Sequence, residues 1–372
     1  MALEQTRRRT APDARSRHGD RTLVLGTGEL ARRLVARLQQ MPRHHHVVGC
    51  VAEGVEAPRT VGGVPVVGSV ADLPRLIEQV YPTRVIMAFS ERRERLPMER
   101  LVDIGLRGIT IEDGVELYEH CSGMVALEHV NPGEWLLGRR LRRARAHAVV
   151  ARVTSCAIGL VGLVLLAPLL ALIAVAIKLD SRGPVFFVQR RVGLNGIPFA
   201  LIKFRSMHPP PHGRRSEWAG DNSDRVTRVG RLLRKFWLDE LPELANMVRG
   251  DMNLVGPRPH PESNWVLFTM VLRNMPVSGQ RIPYYSLRTL VRPGLTGWAQ
   301  VRYRYANNLE EEVEKAKYDL YYVKYRTTWM DVRIVLATIR LMLSGRGTAP
   351  IDVPRPGADE PVEPLESAQA HG

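Results

Sequence analysis

Two adjacent carboxylates, Asp239 and Glu240, lie among basic residues in the stretch from Arg231 to Pro259. An aspartate can attack phosphorus to form a covalent intermediate, and a neighbouring glutamate can bind Mg²⁺. Cationic side chains stabilise phosphate charge in such reactions. The basic residues that could do so here are Lys203, Arg205, Arg234 and Arg258. Because these residue types occur together, we predict phosphoryl chemistry at this stretch.

The local pattern around the carboxylates predicts a helix that begins beside them. Pro242 would lie in its first turn, where a missing N–H costs nothing, and Asp239 would be the N-cap. The N-terminus of a helix keeps a carboxylate ionised and also attracts phosphate. Taken alone, the stretch is equally consistent with a capped amphipathic helix whose charges are solvated.

Composition favours a folded protein with an anionic partner. The chain has 372 residues, 45% of them hydrophobic, and its 53 Lys and Arg against 38 Asp and Glu give a net charge of +15. Such a charge suits nucleic acid, a phosphorylated substrate or an acidic membrane surface. Cys50, Cys121 and Cys156 match neither metal-ligand spacing nor a disulfide framework, which indicates a reducing compartment.

The N-terminal part predicts a Rossmann-like, nucleotide-binding-type domain over residues 21–135, after a disordered lead-in over 1–20. Strand and helix patterns alternate here, as in a parallel sheet. Gly26 and Gly28 open a G-x-G-x-x-A pattern after the first strand, and Glu53 follows the second strand where a ribose-binding acid would lie. These three residues are candidates for cofactor binding. The alternative is a scaffold whose glycines merely permit close packing.

A membrane segment is predicted after a basic linker over residues 136–152. No charged residue occurs from Val153 to Ile177, which is long enough to span a bilayer core of about 30 Å. Basic residues flank both ends, so the positive-inside rule holds both ends in the cytoplasm. Pro168 removes a helix hydrogen bond in the middle. We therefore favour a re-entrant helix over 153–178, with a spanning helix and a buried core helix as alternatives.

The remaining chain predicts a membrane-associated α/β domain over residues 179–350 and a disordered tail over 351–372. PVFFVQRRVG and FALIKFRSM, joined by Asn195-Gly196, predict a β-hairpin. Residues 263–281 have the pattern of an amphipathic helix on the membrane surface or in the core. LEEEVEKAKYDLYYVKY and DVRIVLATIRLML predict two further amphipathic helices.

Four ordered motifs resemble the monotopic phosphoglycosyl transferases, also called bacterial sugar transferases. The resemblance runs from about Val149 to Gly347. It rests on IKLDSRGPVFFVQRRVGLNGIPFALIKFRSM, RVTRVGRLLRKFWLDELPELANMVRGDMNLVGPRP, YSLRTLVRPGLTGWAQV and KYDLYYVKY. LVLGTGELARRL and EHVNPGEWLL further resemble the branch associated with exopolysaccharide systems and exosortase loci.

The resemblance implies a reaction. Asp239 would attack the β-phosphate of a UDP-sugar, releasing UMP and leaving a phosphosugar on the aspartate, while Glu240 binds Mg²⁺. A polyprenyl phosphate, in particular undecaprenyl phosphate, would then accept the phosphosugar. The implied location is the cytoplasmic face of the bacterial inner membrane, with the lipid bilayer as a partner, and the implied role is the first step of exopolysaccharide synthesis.

The same resemblance assigns the basic residues and reveals departures. Lys203, Arg205, Arg234 and Arg258 would hold the diphosphate and the uridine end, and either Arg302 or Arg304 would contact phosphate. Trp237, Glu243 and His260 stand where the family usually has Ser, Gln and Glu, and Ser155 stands where it often has Asp.

Two other classes of function stay open from the residues alone. An NAD-dependent sugar-nucleotide oxidoreductase or dehydratase would use the N-terminal glycines, but no Tyr is followed four residues later by Lys. A non-enzymatic basic membrane scaffold would account for the net charge. We expect no nucleic-acid partner, because no recognised nucleic-acid-binding motif occurs. The identity of the sugar and the formation of a homo-oligomer are left open.

Overall fold

The computed structural model describes residues 20–41, 45–54, 57–89, 98–129, 140–208, 225–274, 284–303 and 309–343. The predicted lead-in, apart from Asp20, and the predicted tail lie outside these residues. The chain divides into two compact units, residues 1–131 and 132–372.

A largely parallel sheet forms the centre of the first unit. Its strands are β1 (Asp20–Leu25), β2 (His45–Ala52), β3 (Thr60–Val61), β4 (Val64–Ser69), β5 (Arg84–Met87) and β6 (Thr110–Asp113). They lie in the order β3-β4-β2-β1-β5-β6. The paired strands run parallel, except that β3 runs antiparallel to β4. The predicted α/β class with a parallel sheet is confirmed.

Helices cover both faces of this sheet. They are α1 (Glu29–Gln39), α2 (Leu73–Val80), α3 (Met98–Leu106) and α4 (Gly114–Ser122). Side chains alternate along β1, so Val24 packs in one buried cluster with residues of α1 and α4, and Leu23 packs in another with residues of α2 and α3. Helix α4 was not predicted from the sequence pattern. The Asp113 side chain caps it by accepting hydrogen bonds from the N–H groups of Val115 and Glu116.

Two apolar helices open the described part of the second unit. They are α5 (Arg140–Leu165) and α6 (Ala167–Asp180), and the helix is interrupted between them at Leu166, where φ is −91° and ψ is 2°. The interruption lies two residues before Pro168, close to the predicted break. The segment Arg145–Leu165, with a mean hydropathy of 2.1, is long and apolar enough to cross a membrane.

These two helices are buried on one side only. Leu163 and Leu166 pack in a cluster with Leu244 and Met247, whereas Val161 and Val164 are exposed. Exposed aliphatic side chains on a helix otherwise anchored to a protein surface are typical of contact with an apolar environment.

The predicted hairpin is confirmed. It consists of β7 (Phe186–Val192) and β8 (Pro198–Phe204), which pair antiparallel. Asn195 and Gly196 have positive φ angles of 55° and 78° in the turn, a backbone conformation that this dipeptide favours.

The rest of the second unit consists of helices around a short parallel strand pair. In chain order these elements are α7 (Arg228–Lys235), α8 (Glu243–Arg249), β9 (Asn253–Val255), α9 (Glu262–Asn274), β10 (Gly294–Thr296), α10 (Trp298–Arg302), α11 (Leu309–Tyr325) and α12 (Thr328–Leu343). Strands β9 and β10 pair parallel, and neither was predicted from the sequence pattern. The helices predicted near the end are confirmed as α11 and α12. The helix predicted over 263–281 is confirmed over its described part as α9.

Candidate active site

Asp239 and Glu240 lie in the carboxylate turn, a 3₁₀ turn over Leu238–Glu240 that connects α7 to α8. Trp237 begins the turn in the left-handed conformation, with φ of 59°. A bulky residue in that region is uncommon, and such strain often accompanies function. The residue therefore ends α7 and directs the chain into the carboxylate turn.

Asp239 does not cap a helix as predicted. Helix α8 begins at Glu243, and Pro242 occupies its N-cap position. The chain instead forms the 3₁₀ turn first, in which the N–H of Glu240 donates to the carbonyl of Trp237 at 3.2 Å. Asp239 is thus inside this turn, and the prediction that it is the N-cap is wrong.

Glu240 is the centre of a buried ionic cluster. Lys203 Nζ, from β8, lies 2.7 Å from Glu240 Oε1, and Arg258, from the turn after β9, donates to the same oxygen. Lys203 Nζ also lies 3.1 Å from Glu243 Oε1. The structure therefore brings together predicted residues that are far apart in the chain.

The two adjacent carboxylates have opposite electrostatics. Burial alone would raise the pKa of Glu240, but Arg258 and Lys203 hold that pKa at about 2. Burial and the neighbouring charge of Glu240 raise the pKa of Asp239 above its usual value. Burial likewise raises the pKa of Glu243, which Lys203 only partly offsets. Glu240 is therefore a fixed anion paired with two cations, whereas Asp239 is a more basic carboxylate beside it.

Hydrogen bonds to the backbone fix the arginine turn, which is the turn over residues 256–260 that carries Arg258. The N–H of Val192 donates to the carbonyl of His260 at 3.0 Å, and Arg191 Nη1 donates to the carbonyl of Pro259 at 2.6 Å. Arg288 Nη2 donates to the carbonyl of Arg258 itself at 3.3 Å. These hydrogen bonds hold the backbone from which the Arg258 side chain reaches Glu240.

Behind this turn lies a buried network that the sequence analysis did not identify. Arg288 lies 2.6 Å from Asp319 Oδ2 and 3.5 Å from Glu312 Oε1, and His260 Nε2 lies 3.1 Å from the same Glu312 oxygen. The hydroxyl of Tyr285 donates to Glu312 at 3.1 Å. The network thus connects α11 to the backbone of the arginine turn.

Burial and neighbouring charges shift the pKa values of the groups in this network. Burial and the positive charge of Arg288 lower the pKa of His260 to about 3. Burial alone would raise the pKa of Glu312, but the charge of Lys315 and the hydrogen bond from His260 hold it well below its usual range. His260 is therefore neutral, and Glu312 is ionised, at neutral pH.

A small open cleft lies beside Arg258. Its lining includes the side of the arginine turn, Trp265 and Thr289. Arg258, one of the two cations that pair with Glu240, lines the cleft, so an anionic substrate group bound there would meet positive charge.

Several predicted site residues lie away from the cluster. Arg205 is buried and donates to the carbonyls of Ser181 and Arg182 at 2.7 and 3.1 Å, at the end of α6. Arg234 is exposed, with Nη1 3.8 Å from the sulfur of Met207.

Contacts among the described residues do not test the prediction that Arg302 or Arg304 contacts phosphate. The Arg302 guanidinium lies 4.4 Å from the centre of the Trp298 ring. Arg304 lies outside the described residues. In this structure the placement of Arg205 is that of a residue that stabilises the end of α6.

In the first unit, the predicted cofactor-binding residues lie at the carboxyl ends of β1 and β2. A Cβ on Gly26, whose φ is 131°, would lie 2.4 Å from the carbonyl oxygen of Ala88 and 3.3 Å from Glu53 Oε1. Gly28 is the N-cap residue of α1. Close packing therefore accounts for the glycine at position 26, and binding of a nucleotide stays a prediction.

The missed network had a weak signal in the sequence. Glu312 and Asp319 are seven residues apart on α11, so they lie on one helix face with Ala316, Leu320 and Val323, and all five are buried. Two carboxylates on an otherwise apolar, buried stripe indicate that a cation from elsewhere in the chain pairs with them. Nothing local marks Arg288 as that cation, because it comes from a distant turn.

The residues present fit the predicted Mg²⁺ ion. This ion binds proteins through one or two carboxylates and takes its other ligands from water and substrate phosphates. Asp239 and Glu240 Oε2 supply such oxygens, whereas Glu240 Oε1 is paired with Lys203 and Arg258. No group of three or more His, Cys, Asp or Glu residues suited to a metal occurs among the residues that the structure describes. A metal here would thus be shared with the substrate.

Comparison with known proteins identifies similar sequences. A curated relative, the UDP-N-acetylgalactosamine-undecaprenyl-phosphate N-acetylgalactosaminephosphotransferase of Aeromonas hydrophila, is 38% identical over 62% of this chain and 52% of its own length. The UDP-glucose:undecaprenyl-phosphate glucose-1-phosphate transferase of Caulobacter vibrioides is 44% identical over 48% of this chain and 64% of its own length.

A third relative also aligns with the first unit. The undecaprenyl-phosphate glucose phosphotransferase of Komagataeibacter xylinus is 30% identical over 90% of this chain and 61% of its own length. Across the three, the alignments cover between 52% and 64% of the relatives' lengths.

The sequence model of one protein family matches a large part of the chain. That family is described as bacterial sugar transferase, and the match covers residues 146–345. This range includes the carboxylate turn, the arginine turn and the buried network behind it. The chain belongs to the bacterial sugar transferase family.

Proposed function

We propose that the chain transfers a sugar 1-phosphate from a UDP-sugar to a polyprenyl phosphate, such as undecaprenyl phosphate. The observation that carries this proposal is the position of Asp239, a carboxylate with a raised pKa, beside the Lys203–Glu240–Arg258 cluster. The names of the three relatives support the substrate classes.

Asp239 acts as the nucleophile in the first half of the reaction. One of its carboxylate oxygens forms a bond to the β-phosphorus of the UDP-sugar, and the bond from that phosphorus to the bridging oxygen breaks. UMP leaves with the electron pair, and the sugar phosphate stays on the aspartate as an acyl phosphate. The raised pKa of Asp239 makes its ionised form a better nucleophile than an ordinary carboxylate.

The second half regenerates the enzyme. A phosphate oxygen of the polyprenyl phosphate attacks the same phosphorus, and the bond to Asp239 breaks. The products are a polyprenyl diphosphosugar and a free carboxylate. Lys203 and Arg258 form their ion pairs with Glu240, the residue next to Asp239. From this position their positive charges offset the negative charge of both phosphate groups.

Mg²⁺ is the proposed metal ion. When bound at Glu240, it would neutralise diphosphate charge and polarise the phosphoryl group. Arg258 and Lys203 keep Glu240 ionised and oriented for this role.

The proposed location is the cytoplasmic face of the bacterial inner membrane, with the bilayer in contact with α5 and α6. We propose that these helices enter the membrane, turn at Leu166 and return, because the helix is interrupted there and basic residues flank both ends. A lipid substrate would then reach the site without leaving the bilayer. The proposed biological role is the first step of exopolysaccharide synthesis.

We also propose that the first unit is Rossmann-like. Its parallel strands follow the order β4-β2-β1-β5-β6, which matches the 3-2-1-4-5 arrangement of that fold.

A screen of UDP-sugars tests the proposed function. Purified full-length protein in nanodiscs is incubated with UDP-glucose or UDP-N-acetylgalactosamine, with and without undecaprenyl phosphate. We expect UMP release and a lipid-linked sugar with at least one donor, and loss of both with Asp239→Asn. UMP release by Asp239→Asn at the wild-type rate would contradict the assignment of the nucleophile.

A further inference from the structure

Two polar side chains on α5 bond to the backbone of other elements. Arg152 and Ser155 are three residues apart, so they lie on the same face of the helix. Arg152 contacts α8, and Ser155 contacts β9. These are the elements adjacent to the carboxylate turn and the arginine turn.

Arg152 caps the end of α8. Its Nη2 donates to the carbonyl of Val248 at 2.9 Å, and its Nη1 donates to the carbonyl of Met247. The last four carbonyls of a helix have no partner within it, and a cation there also interacts favourably with the helix dipole. The fork of one guanidinium therefore ties α5 to the helix that follows Asp239 and Glu240.

Ser155 holds the free edge of β9. Its side chain is buried, and its Oγ accepts a hydrogen bond from the N–H of Leu254 at 2.8 Å. Asn253 and Val255 are the β9 residues in register with β10, so the intervening N–H of Leu254 points to the other side. Arg258 follows three residues after the end of this strand.

The same face of α5 continues as a close contact with α8. A Cβ on Gly159 would lie 3.1 Å from the carbonyl oxygen of Leu244, and one on Gly162 would lie 3.0 Å from Leu244 Cδ1. Neither position has room for a side chain without displacement of its neighbour. The two helices therefore meet with little freedom to slide.

The two turns of the site must keep their relative position, because Arg258 from one turn contacts Glu240 from the other. We propose that Arg152 and Ser155 are positioning residues, through which α5 holds these two turns in register. This inference rests on the proposed phosphoglycosyl transfer. Neither residue touches the substrate; each acts through the backbone of α8 or β9.

The test compares four variants of the full-length protein in nanodiscs. Ser155→Ala removes the acceptor for Leu254, whereas Ser155→Asp retains one. Arg152→Lys keeps the charge but loses the fork. Thr154→Ala is the matched control, because the Thr154 hydroxyl is exposed and its hydrogen bonds to described residues stay within α5, to Val150 at 2.8 Å and Ala151 at 3.2 Å.

Two quantities are measured for each variant: hydrogen exchange of backbone amides, and the kinetics of UMP release from the UDP-sugar that the wild type accepts. We expect Ser155→Ala to speed exchange over residues 253–256 and to lower kcat about tenfold, with KM within about twofold. Arg152→Lys should do the same over residues 244–250. Ser155→Asp and Thr154→Ala should resemble the wild type in both measurements.

A kcat of Ser155→Ala within about twofold of Thr154→Ala would overturn the proposal, as would a rise in KM with kcat unchanged. A wild type that releases no UMP from any UDP-sugar would instead show that the proposed function is wrong. In that case the exchange data decide alone. Unchanged exchange at residues 253–256 in Ser155→Ala overturns the positioning role of Ser155, and faster exchange supports it.

Discussion

Neighbouring carboxylates can have different chemistry when their surroundings differ, and Asp239 and Glu240 are such a pair. Two cations hold Glu240 as an anion, whereas burial makes Asp239 more basic. Among the described residues, no ion pair includes the Asp239 carboxylate, although both cations act on it electrostatically. This difference supports the proposed nucleophile at position 239 and the proposed charge-holding role at position 240.

Substitution of Glu240 tests that division of roles. In Glu240→Gln, Lys203 and Arg258 lose the anion between them and the site loses a ligand for Mg²⁺. We expect kcat for UMP release to fall at least about a hundredfold, a loss typical of an electrostatic group in an active site. Glu243→Gln is the matched control, and it should keep activity within about threefold because the ion pairs of Glu240 with Lys203 and Arg258 stay in place. Equal losses in the two variants would contradict the assignment.

His260 predicts a dependence of stability on pH. Its pKa in the folded protein is about 3, whereas an unfolded histidine titrates near about pH 6.5. Below that value the unfolded chain binds a proton that the folded chain does not, so stability falls as the pH decreases from about 6.5 towards 3.

We therefore expect His260→Gln to lose less stability than the wild type between about pH 7.5 and 5.5, as measured by the thermal midpoint. The comparison uses the pH slope, so a uniform loss of stability in the variant does not affect it. His120→Gln, at an exposed histidine of the first unit, is the control and should keep the wild-type slope. An unchanged slope in His260→Gln would show that this histidine does not titrate as the burial requires.

At the scale of elements, the proposed re-entrant path of the apolar helices depends on the interruption at Leu166. Pro168 cannot donate the backbone hydrogen bond of a continuous helix. In Pro168→Ala we expect α5 and α6 to join and a larger fraction of molecules to span the membrane. Labelling of a cysteine introduced in the first unit, in intact cells, reports this fraction.

Pro65→Ala is the control for loss of an exposed proline, and its labelling should match the wild type. The expected wild-type result is protection from a membrane-impermeant reagent. Efficient labelling of the wild-type protein from the periplasmic side would contradict the re-entrant path.

Sequence patterns predicted the regular elements well where the signal was local. The Asn195-Gly196 turn predicted the hairpin, and helical spacing predicted α11 and α12. Strands β9 and β10 have three residues each, which is too short for alternation to be visible. The N-cap prediction for Asp239 failed because the 3₁₀ turn after Trp237 delays the start of α8.

The site was predictable only in part for the same reason. Lys203, Glu240 and Arg258 meet as the motif order suggested, but charge type alone could not separate Arg258 from Arg205. Arg205 lies one residue beyond β8 and hydrogen bonds to the end of α6. That distinction depends on tertiary contacts, which no spacing in the sequence records.

On the scale of the whole molecule, the family match and the proposed site both lie in the second unit. Residues 146–345 match the family, whereas the first unit, residues 1–131, lies outside that range. We expect residues 140–350 alone to release UMP from the accepted UDP-sugar, with kcat within about threefold of the full chain. A truncated protein that is folded, as judged by circular dichroism, but that releases no UMP would contradict this prediction.

The proposed reaction divides the whole process into two half-reactions that meet at one carboxylate. The most direct test supplies UDP-sugar labelled in its β-phosphate and withholds the polyprenyl phosphate. We predict that label stays on wild-type protein in step with UMP release, that undecaprenyl phosphate removes it, and that Asp239→Asn retains none. Steady-state plots for the two substrates should then be parallel. Intersecting plots, together with no label on wild-type protein, would contradict the covalent mechanism.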